Sequence, residues 1–387
     1  MMKKILTWIN GVLPKRNVII FNSNPDLADN AYALYSYIIK NRIDIQKKYK
    51  IIWTVNTKEQ NNRTNRTTCK TVYKKSLQGL YYFFVSKFIF CTHNYFYDVK
   101  SGRDQMIVNL WHGNGYKCLH NEEECYRGDV TFVTSDAYVQ IQAHELNINS
   151  DNVLVTGLAR NDCFFKSKVG ELKKLGIDKE KYKSILIWMP TFRKAVLKSF
   201  GEDGNRSGFG FWDVVSTQSE KFNSALKKNG ILLIVKPHPM EDLTGLEYNC
   251  FSNIRIISNR DLEKLNCDLY ELLKETDGLI SDYSSVVIDY LLLDKPVSMV
   301  CSDIEEYKSS RGFVFNRISD YFPGPILKNA DDFLNYICNK NKIDLEWLDK
   351  RVQLKKFFHK YSDGNSCERI VHYLFDNDKL YSSKNVL

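Results

Sequence analysis

Short apolar runs, each closed by a polar end, recur along this chain and alternate with stretches of helical spacing. In the first half, Asn17–Phe21 (NVIIF), Ile51–Val55 (IIWTV), Phe88–Cys91, Met106–Leu110, Val130–Val133 and Val153–Val155 have the length and apolar continuity of buried strands. Asn30–Lys40 and the aromatic-rich Leu77–Val85 read as helices, and the polar Asn61–Thr68 reads as a loop. The charged stretch Glu171–Lys183, broken by Gly176, interrupts the pattern and marks a domain boundary. The pattern then restarts with Ser184–Trp188, Ile231–Val235, Ile254–Ile257, Gly278–Ile280 and Val297–Val300 as strands. Asp213–Lys228 and Leu269–Lys274 read as helices, and Asp331–Phe375 as largely helical. Such alternation predicts an α/β fold with mostly parallel sheets and helices on both faces. Two units of about 180 residues each fit the usual domain size.

The polar ends of these runs carry the candidate chemistry. In open parallel sheets ligands bind beyond the carboxyl ends of the strands. His112, Arg160, Arg193, His238 and Asp282 each fall just past a predicted strand. Two α/β lobes would set such ends across one cleft. The segment Ser281-Asp282-Tyr283-Ser284-Ser285-Val286-Val287-Ile288-Asp289 follows a strand and opens a helix. A helix start offers free N–H groups and partial positive charge, and two serine hydroxyls add donors without bulk, so the stretch suits a phosphate. The plainer alternative is an N-cap pair.

Composition narrows the partners. The 387 residues suffice for two full cores. A net charge of +9 suits a phosphate-bearing partner or an anionic membrane face. Ten scattered cysteines with no CxxC fit a reducing compartment better than a disulfide framework. No run reaches the roughly 18 apolar residues of a membrane span. The N-terminal stretch Met1–Lys15 places Lys3 and Lys4 before Ile5, Leu6, Trp8, Ile9, Val12 and Leu13. It reads either as an amphipathic helix lying on a membrane or as a first helix packed on the body.

Several motifs refine this picture. Trp111-His112-Gly113-Asn114-Gly115-Tyr116-Lys117 sets a histidine between small residues at a strand end, suited to a general base. The plainer alternative is a buried histidine bonded to a backbone carbonyl. In Lys236-Pro237-His238-Pro239 two prolines stiffen the backbone beside two donors. Arg160 and Arg193 can each grip a phosphate through a planar fork, or serve in salt bridges. Tyr307–Ile326 is turn-rich and reads as a loop that closes over a site or merely connects elements. Glu122–Glu124 reads as a solvated charge run, and Asp376-Asn377-Asp378 as no metal site. With neither GxxxxGK[ST] nor GxGxxG, a P-loop enzyme and a Rossmann dehydrogenase are unsupported.

Taken together, the motifs resemble the CDP-glycerol glycerophosphotransferase family, which includes teichoic-acid primases and polymerases and related capsule polymerases. The matching segments, in order, are Trp111–Lys117, Gly157–Asp162 (GLARND), Pro190–Arg193 (PTFR), Lys236–Pro239, Ser281–Asp289 followed by Lys295-Pro296, and Arg311–Phe313 with Pro323–Pro325. One departure stands out: where the family has Thr-Pro after WHG, this chain has Asn114-Gly115, which loosens the loop.

The resemblance implies a GT-B-like fold of two Rossmann-like domains. On that basis 1–180 is the acceptor side, 181–345 binds the CDP-polyol donor, and the helices of 346–387 cross back onto the first domain. It implies transfer of glycerol phosphate from CDP-glycerol to a hydroxyl, releasing CMP, with no cofactor and no metal required. It implies His112 as base for the acceptor hydroxyl and His238 as the group that holds or protonates the diphosphate. Arg193, Lys236, Asp282, Ser284, Ser285, Asp289 and Arg311 fall on the donor side, and Gly113, Lys117, Arg160 and Asp162 are acceptor-side or structural. The implied partners are a lipid-linked, undecaprenyl-type or glycerophosphate-polymer acceptor and an anionic membrane surface, not nucleic acid. The implied location is the cytoplasmic face of the cell membrane, held peripherally through the chain's own surface, with the basic groups and the aromatic helix Leu77–Val85 facing the acceptor. The alternatives are a CDP-ribitol or other polyol-phosphate transferase, a GT-B nucleotide-sugar glycosyltransferase, and a non-enzymatic binder of anionic polymer.

Overall fold

Parallel strands buried on both faces read as continuous apolar runs, and the sheets form where those runs lie. The computed structural model describes residues 2–58, 69–93, 95–96, 99–118, 128–191, 209–238, 241 and 251–376. Arg193, Glu122–Glu124 and Asn61–Thr68 lie outside the described residues. The chain divides into two units: Met1–Gly113, His120–Phe165 and His359–Leu387 form the first, and Asn114–Leu119 and Lys166–Phe358 the second. The main change of unit therefore falls at 165/166 rather than near 180, and the helix Leu348–Phe358 stays with the second unit.

The first unit holds seven strands: β1 (Arg16–Asn22), β2 (Lys50–Val55), β3 (Lys70–Tyr73), β4 (Ser86–Cys91), β5 (Met106–Asn109), β6 (Val130–Val133) and β7 (Val153–Val155). They run in the order β3-β2-β1-β4-β5-β6-β7, with every pairing parallel. Side chains alternate across the pleat. Ile19 and Phe21 enter one core with the helices Asp29–Asn41 and Ser366–Val371, while Val18 and Ile20 enter the other with the helix Leu77–Val85. Much of the aromatic content is spent here: Phe21 stacks on Trp53 at 5.7 Å and on Phe90 at 4.8 Å. The helix Leu77–Val85 turns Tyr82, Phe83 and Phe84 into the core, leaving Leu77 and Tyr81 exposed.

The N-terminal helix Met2–Val12 lays Leu6 and Ile9 on the same core and exposes Ile5, Trp8 and Val12. Its far end is pinned by polar contacts. Buried Asn10 donates to Gln105 Oε1 at 2.7 Å, and Lys15 Nζ donates to the carbonyls of Asn10 and Phe84, each at 2.7 Å.

The second unit holds β8 (Ser184–Met189), β9 (Ile231–Val235), β10 (Ile254–Ile256), β11 (Gly278–Ser281) and β12 (Val297–Met299). Their order is β10-β9-β8-β11-β12, again parallel throughout. The helices Ser219–Asn229 and Ala330–Glu346 cover one core through Phe222, Leu226, Phe333 and Tyr336. The stretch read as a possible closing loop is packed instead. It begins inside the helix Ile304–Ser310, and its Tyr307 and Phe322 are fully buried.

Candidate active site

Each sheet reverses its strand order once, β1 against β4 in the first unit and β8 against β11 in the second. At such a reversal the loops diverge and open a crevice at the carboxyl ends. The candidate residues gather around these two places.

In the first unit the chain leaving β5 turns sharply about His112. Trp111 has φ of +55° and Gly113 has φ of +126°. A positive φ is costly for a tryptophan, so the surroundings must hold it. Asn30 does so, its Nδ2 donating to the carbonyls of Leu110 at 3.2 Å and Trp111 at 2.9 Å. Arg160 is buried; its Nη1 donates to Asp29 Oδ1 at 2.7 Å and to the His112 carbonyl at 2.9 Å, and its backbone N–H donates to Asn30 Oδ1 at 3.0 Å. Arg160 is therefore a clamp on the histidine's backbone, tied to an acid far away in sequence. Asp162 does a similar job one turn on, accepting the N–H groups of Ser366 and Cys367 at 2.8 Å each and so capping the helix Ser366–Val371.

The His112 side chain is half-buried, with Nδ1 lying 3.3 Å from the Thr92 carbonyl. A carbonyl only accepts, so in the neutral ring this bond places the proton on Nδ1 and the lone pair on Nε2. The ring stacks on His93 at 4.5 Å with 11° between the planes. Burial holds the His93 imidazole below its ordinary pKa, against a smaller upward pull from Asp29.

In the second unit Asp282 spans the strand-order reversal. Its carboxylate accepts the Thr191 backbone N–H at 3.0 Å and the Thr191 hydroxyl at 2.8 Å. Asp289 is fully buried and accepts the Tyr270 hydroxyl at 2.7 Å. Both acids thus bond to the unit's own framework. The hydroxyls beside them do less of this. Ser285 makes no side-chain cap bond to the helix Val286–Tyr290, and Ser284 Oγ is 3.5 Å from the Val286 N–H.

Lys236, at the end of β9, is 4% exposed; its Nζ donates to the Pro237 carbonyl at 3.1 Å. Burial pulls its pKa down to about 8, because a dry site penalises the ammonium. His238 follows half-buried, its carbonyl accepting the Glu241 N–H at 3.0 Å.

Three motifs far apart in sequence meet in this unit. Lys117 bridges Phe313 in antiparallel fashion, with the Val314 N–H on the Tyr116 carbonyl at 2.9 Å. Lys117 Nζ lies 5.5 Å from the Tyr307 ring, and Arg311 closes the helix Ile304–Ser310. Gly115 lies against the Ser284-Ser285 turn, where an added Cβ would come within 3.2 Å of Ser285 Cβ. The departure at Asn114-Gly115 therefore has a structural sense: a residue without a side chain lets this segment approach the serines.

Residues 5–376 match the family model for CDP-Glycerol:Poly(glycerophosphate) glycerophosphotransferase, nearly the whole chain. The chain belongs to this family. Among curated relatives of the family, it is 24% identical over 382 residues to the teichoic acid ribitol-phosphate polymerase TarK of Staphylococcus aureus, covering 94% of this chain and 69% of that one. It is 26% identical over 362 residues to the teichoic acid poly(glycerol phosphate) polymerase of Bacillus spizizenii, covering 86% of each. The chain spans 69%, 63% and 54% of the lengths of three ribitol-phosphate polymerases it matches. Among solved structures, the wall teichoic acid polymerase TagF superposes with a TM-score of 0.76 at 18% identity, covering 98% of this chain and 91% of that one. That likeness shows the fold, α/β of the GT-B type.

His112, Lys236 and Asp282 lie just past strands, as expected, but the parts played by four groups around them were not read: Asp29, Asn30, His93 and Thr191. His93 carried the same signal as His112, a histidine just past an apolar strand. Asn30 opened a predicted helix and Asp29 preceded it, yet nothing local linked either to Arg160.

Proposed function

We propose that this chain transfers glycerol phosphate from CDP-glycerol to a hydroxyl of a lipid-linked or polymeric acceptor, releasing CMP, in the synthesis of a teichoic-acid-like or capsular polymer. One observation carries the reading. His112 is held by the Thr92 carbonyl so that Nε2 is the proton-accepting nitrogen. As the acceptor oxygen attacks the polyol-bound phosphorus, its proton passes to Nε2 and the phosphoanhydride bond to CMP breaks. Lys236, Arg311, Lys117 and the serine hydroxyls are the donor-side groups, suited to spread the diphosphate's charge. Arg193 and His238 join them by their motif positions. The reaction calls on no metal or cofactor in this reading.

CDP-ribitol is the second reading, favoured by the ribitol-phosphate polymerases among the relatives. The two donors share the CDP end and differ in the polyol. The test is CMP release by the purified chain given CDP-glycerol or CDP-ribitol with glycerophosphate-primed, lipid-linked acceptor. Release from CDP-glycerol supports the proposal, release from CDP-ribitol alone replaces the donor, and release from neither overturns both readings.

No helix among the described residues is long and apolar enough to cross a membrane. The exposed Ile5, Trp8 and Val12, with Lys3 and Lys4 on the same helix, support a peripheral seat on an anionic cytoplasmic membrane face. Trp8→Ala should lower co-sedimentation with vesicles containing anionic lipid several-fold while leaving the thermal midpoint unchanged. Equal sedimentation would remove this part of the reading.

A further inference from the structure

The assignment of His112 as base leaves a question of orientation. One hydrogen bond of 3.3 Å from Nδ1 to the Thr92 carbonyl fixes a single direction in the plane of the ring. Two aromatic neighbours lie on that ring: Trp111, with centroids 4.1 Å apart and planes tilted by 38°, and His93. His93 lies face to face with His112, centroids 4.5 Å apart and planes within 11°. Its own ring is tied by Nδ1 to Thr92 Oγ1 at 3.0 Å. Thr92 Oγ1 in turn accepts the Asn24 N–H at 3.3 Å, across the β1/β4 reversal. The dipeptide that follows β4 therefore supplies both the carbonyl facing Nδ1 and the ring that lies parallel to His112.

We infer that His93 is a positioning residue for the transfer reaction, holding the His112 ring by stacking so that Nε2 keeps one heading toward the acceptor hydroxyl. The inference rests on the reading of His112 as base. The charges around His93 fit the role. Burial and Lys74 disfavour the charged form of the ring, and Asp29, paired with Arg160, favours it less strongly. A neutral ring behind His112 does not oppose the proton that His112 must accept. Placement errors of about 1 Å at a reacting centre can cost on the order of 100-fold in rate.

The test is steady-state CMP release by the full chain with His93→Phe and His93→Leu, each checked for an unchanged thermal midpoint, with His93→Ala alongside. Phenylalanine keeps a flat ring and leucine fills the space without one. The expected result is kcat within about threefold of native for His93→Phe and about 10–100-fold lower for His93→Leu, with the donor KM within twofold in both. Native kcat in His93→Leu, or equal losses in the Phe and Leu variants, overturns the inference. His112→Ala separates the two readings. If it abolishes release while His93→Leu is native, only the positioning role fails. If it retains release, the base assignment fails and the positioning role with it.

Discussion

The two strand-order reversals share a topology and carry opposite chemistry. In the first unit the groups at the β1/β4 reversal are a hydroxyl and imidazoles: Thr92, His93 and, one strand over, His112. In the charged pair nearby, Arg160 with Asp29, the same Arg160 Nη1 also donates to the His112 carbonyl. In the second unit the carboxylate of Asp282 latches β8 to β11 through Thr191, while Lys236 at the end of β9 remains a buried cation. Adjacent parallel strands lie about 4.8 Å apart, so within each unit these three strand ends form a row roughly 10 Å across. The fold thus fixes where chemistry can sit, and the two or three residues after each strand decide its sign. One row carries imidazoles, the other a lysine and hydroxyls.

Breaking the second row's latch should have the largest effect. Asp282→Ala strips a buried N–H and a hydroxyl of their shared acceptor, at roughly 1–3 kcal/mol for each group left unpaired. The expected outcome is a loss of about 3 kcal/mol in chemical denaturation, with Asp282→Asn losing about half. A loss under 0.5 kcal/mol would mean that water replaces the latch.

Next comes Lys236, where pH sharpens the contrast. Its ammonium is present below about pH 8 and lost above it. Donor KM should therefore climb above pH 8 in the native chain and stay flat in Lys236→Met. Stability has a defined sign as well. The unfolded chain holds this proton up to the ordinary lysine range while the folded chain sheds it near 8. The folded state therefore gains stability as pH rises through that window, by at most about 3 kcal/mol. Lys236→Met should lack that rise, and identical pH curves for the two proteins would contradict the burial argument.

The smallest effect belongs to Gly115. A valine there presses on Ser285. Donor affinity should fall about 3–10-fold, on the scale of about 1 kcal/mol for a hydroxyl displaced from a neutral hydrogen bond. The thermal midpoint should hardly move. Unchanged affinity would separate the serine pair from the donor.

The sequence was most legible where strands are buried on both faces. Ile231–Val235 and Val130–Val133 have the expected boundaries because a parallel core strand needs an unbroken apolar run. Lys70–Tyr73 went unread: it is an edge strand with one fully buried side chain, so alternation and apolarity are both weak. Ile304–Ser310 went unread because a two-turn helix with charged residues has no pattern to show. At the site, the motifs located His112, Lys236 and Ser284-Ser285 correctly at strand ends. The bonding of Asp282, Asp289 and Asp162 was not legible, since each binds a group that the chain reaches only through the fold.

The account's central claim divides the labour: His112 moves the proton, and the row with Lys236 holds the donor. The most direct measurement is calorimetric titration of CDP-glycerol into the folded His112→Ala and Lys236→Met variants, with CMP release measured on the same samples. The account predicts that His112→Ala binds within twofold of native and loses at least about 100-fold in release. It predicts that Lys236→Met binds about 10–100-fold more weakly, the scale of one charge-assisted hydrogen bond. Donor affinity that falls with His112 and survives the loss of Lys236 would contradict it.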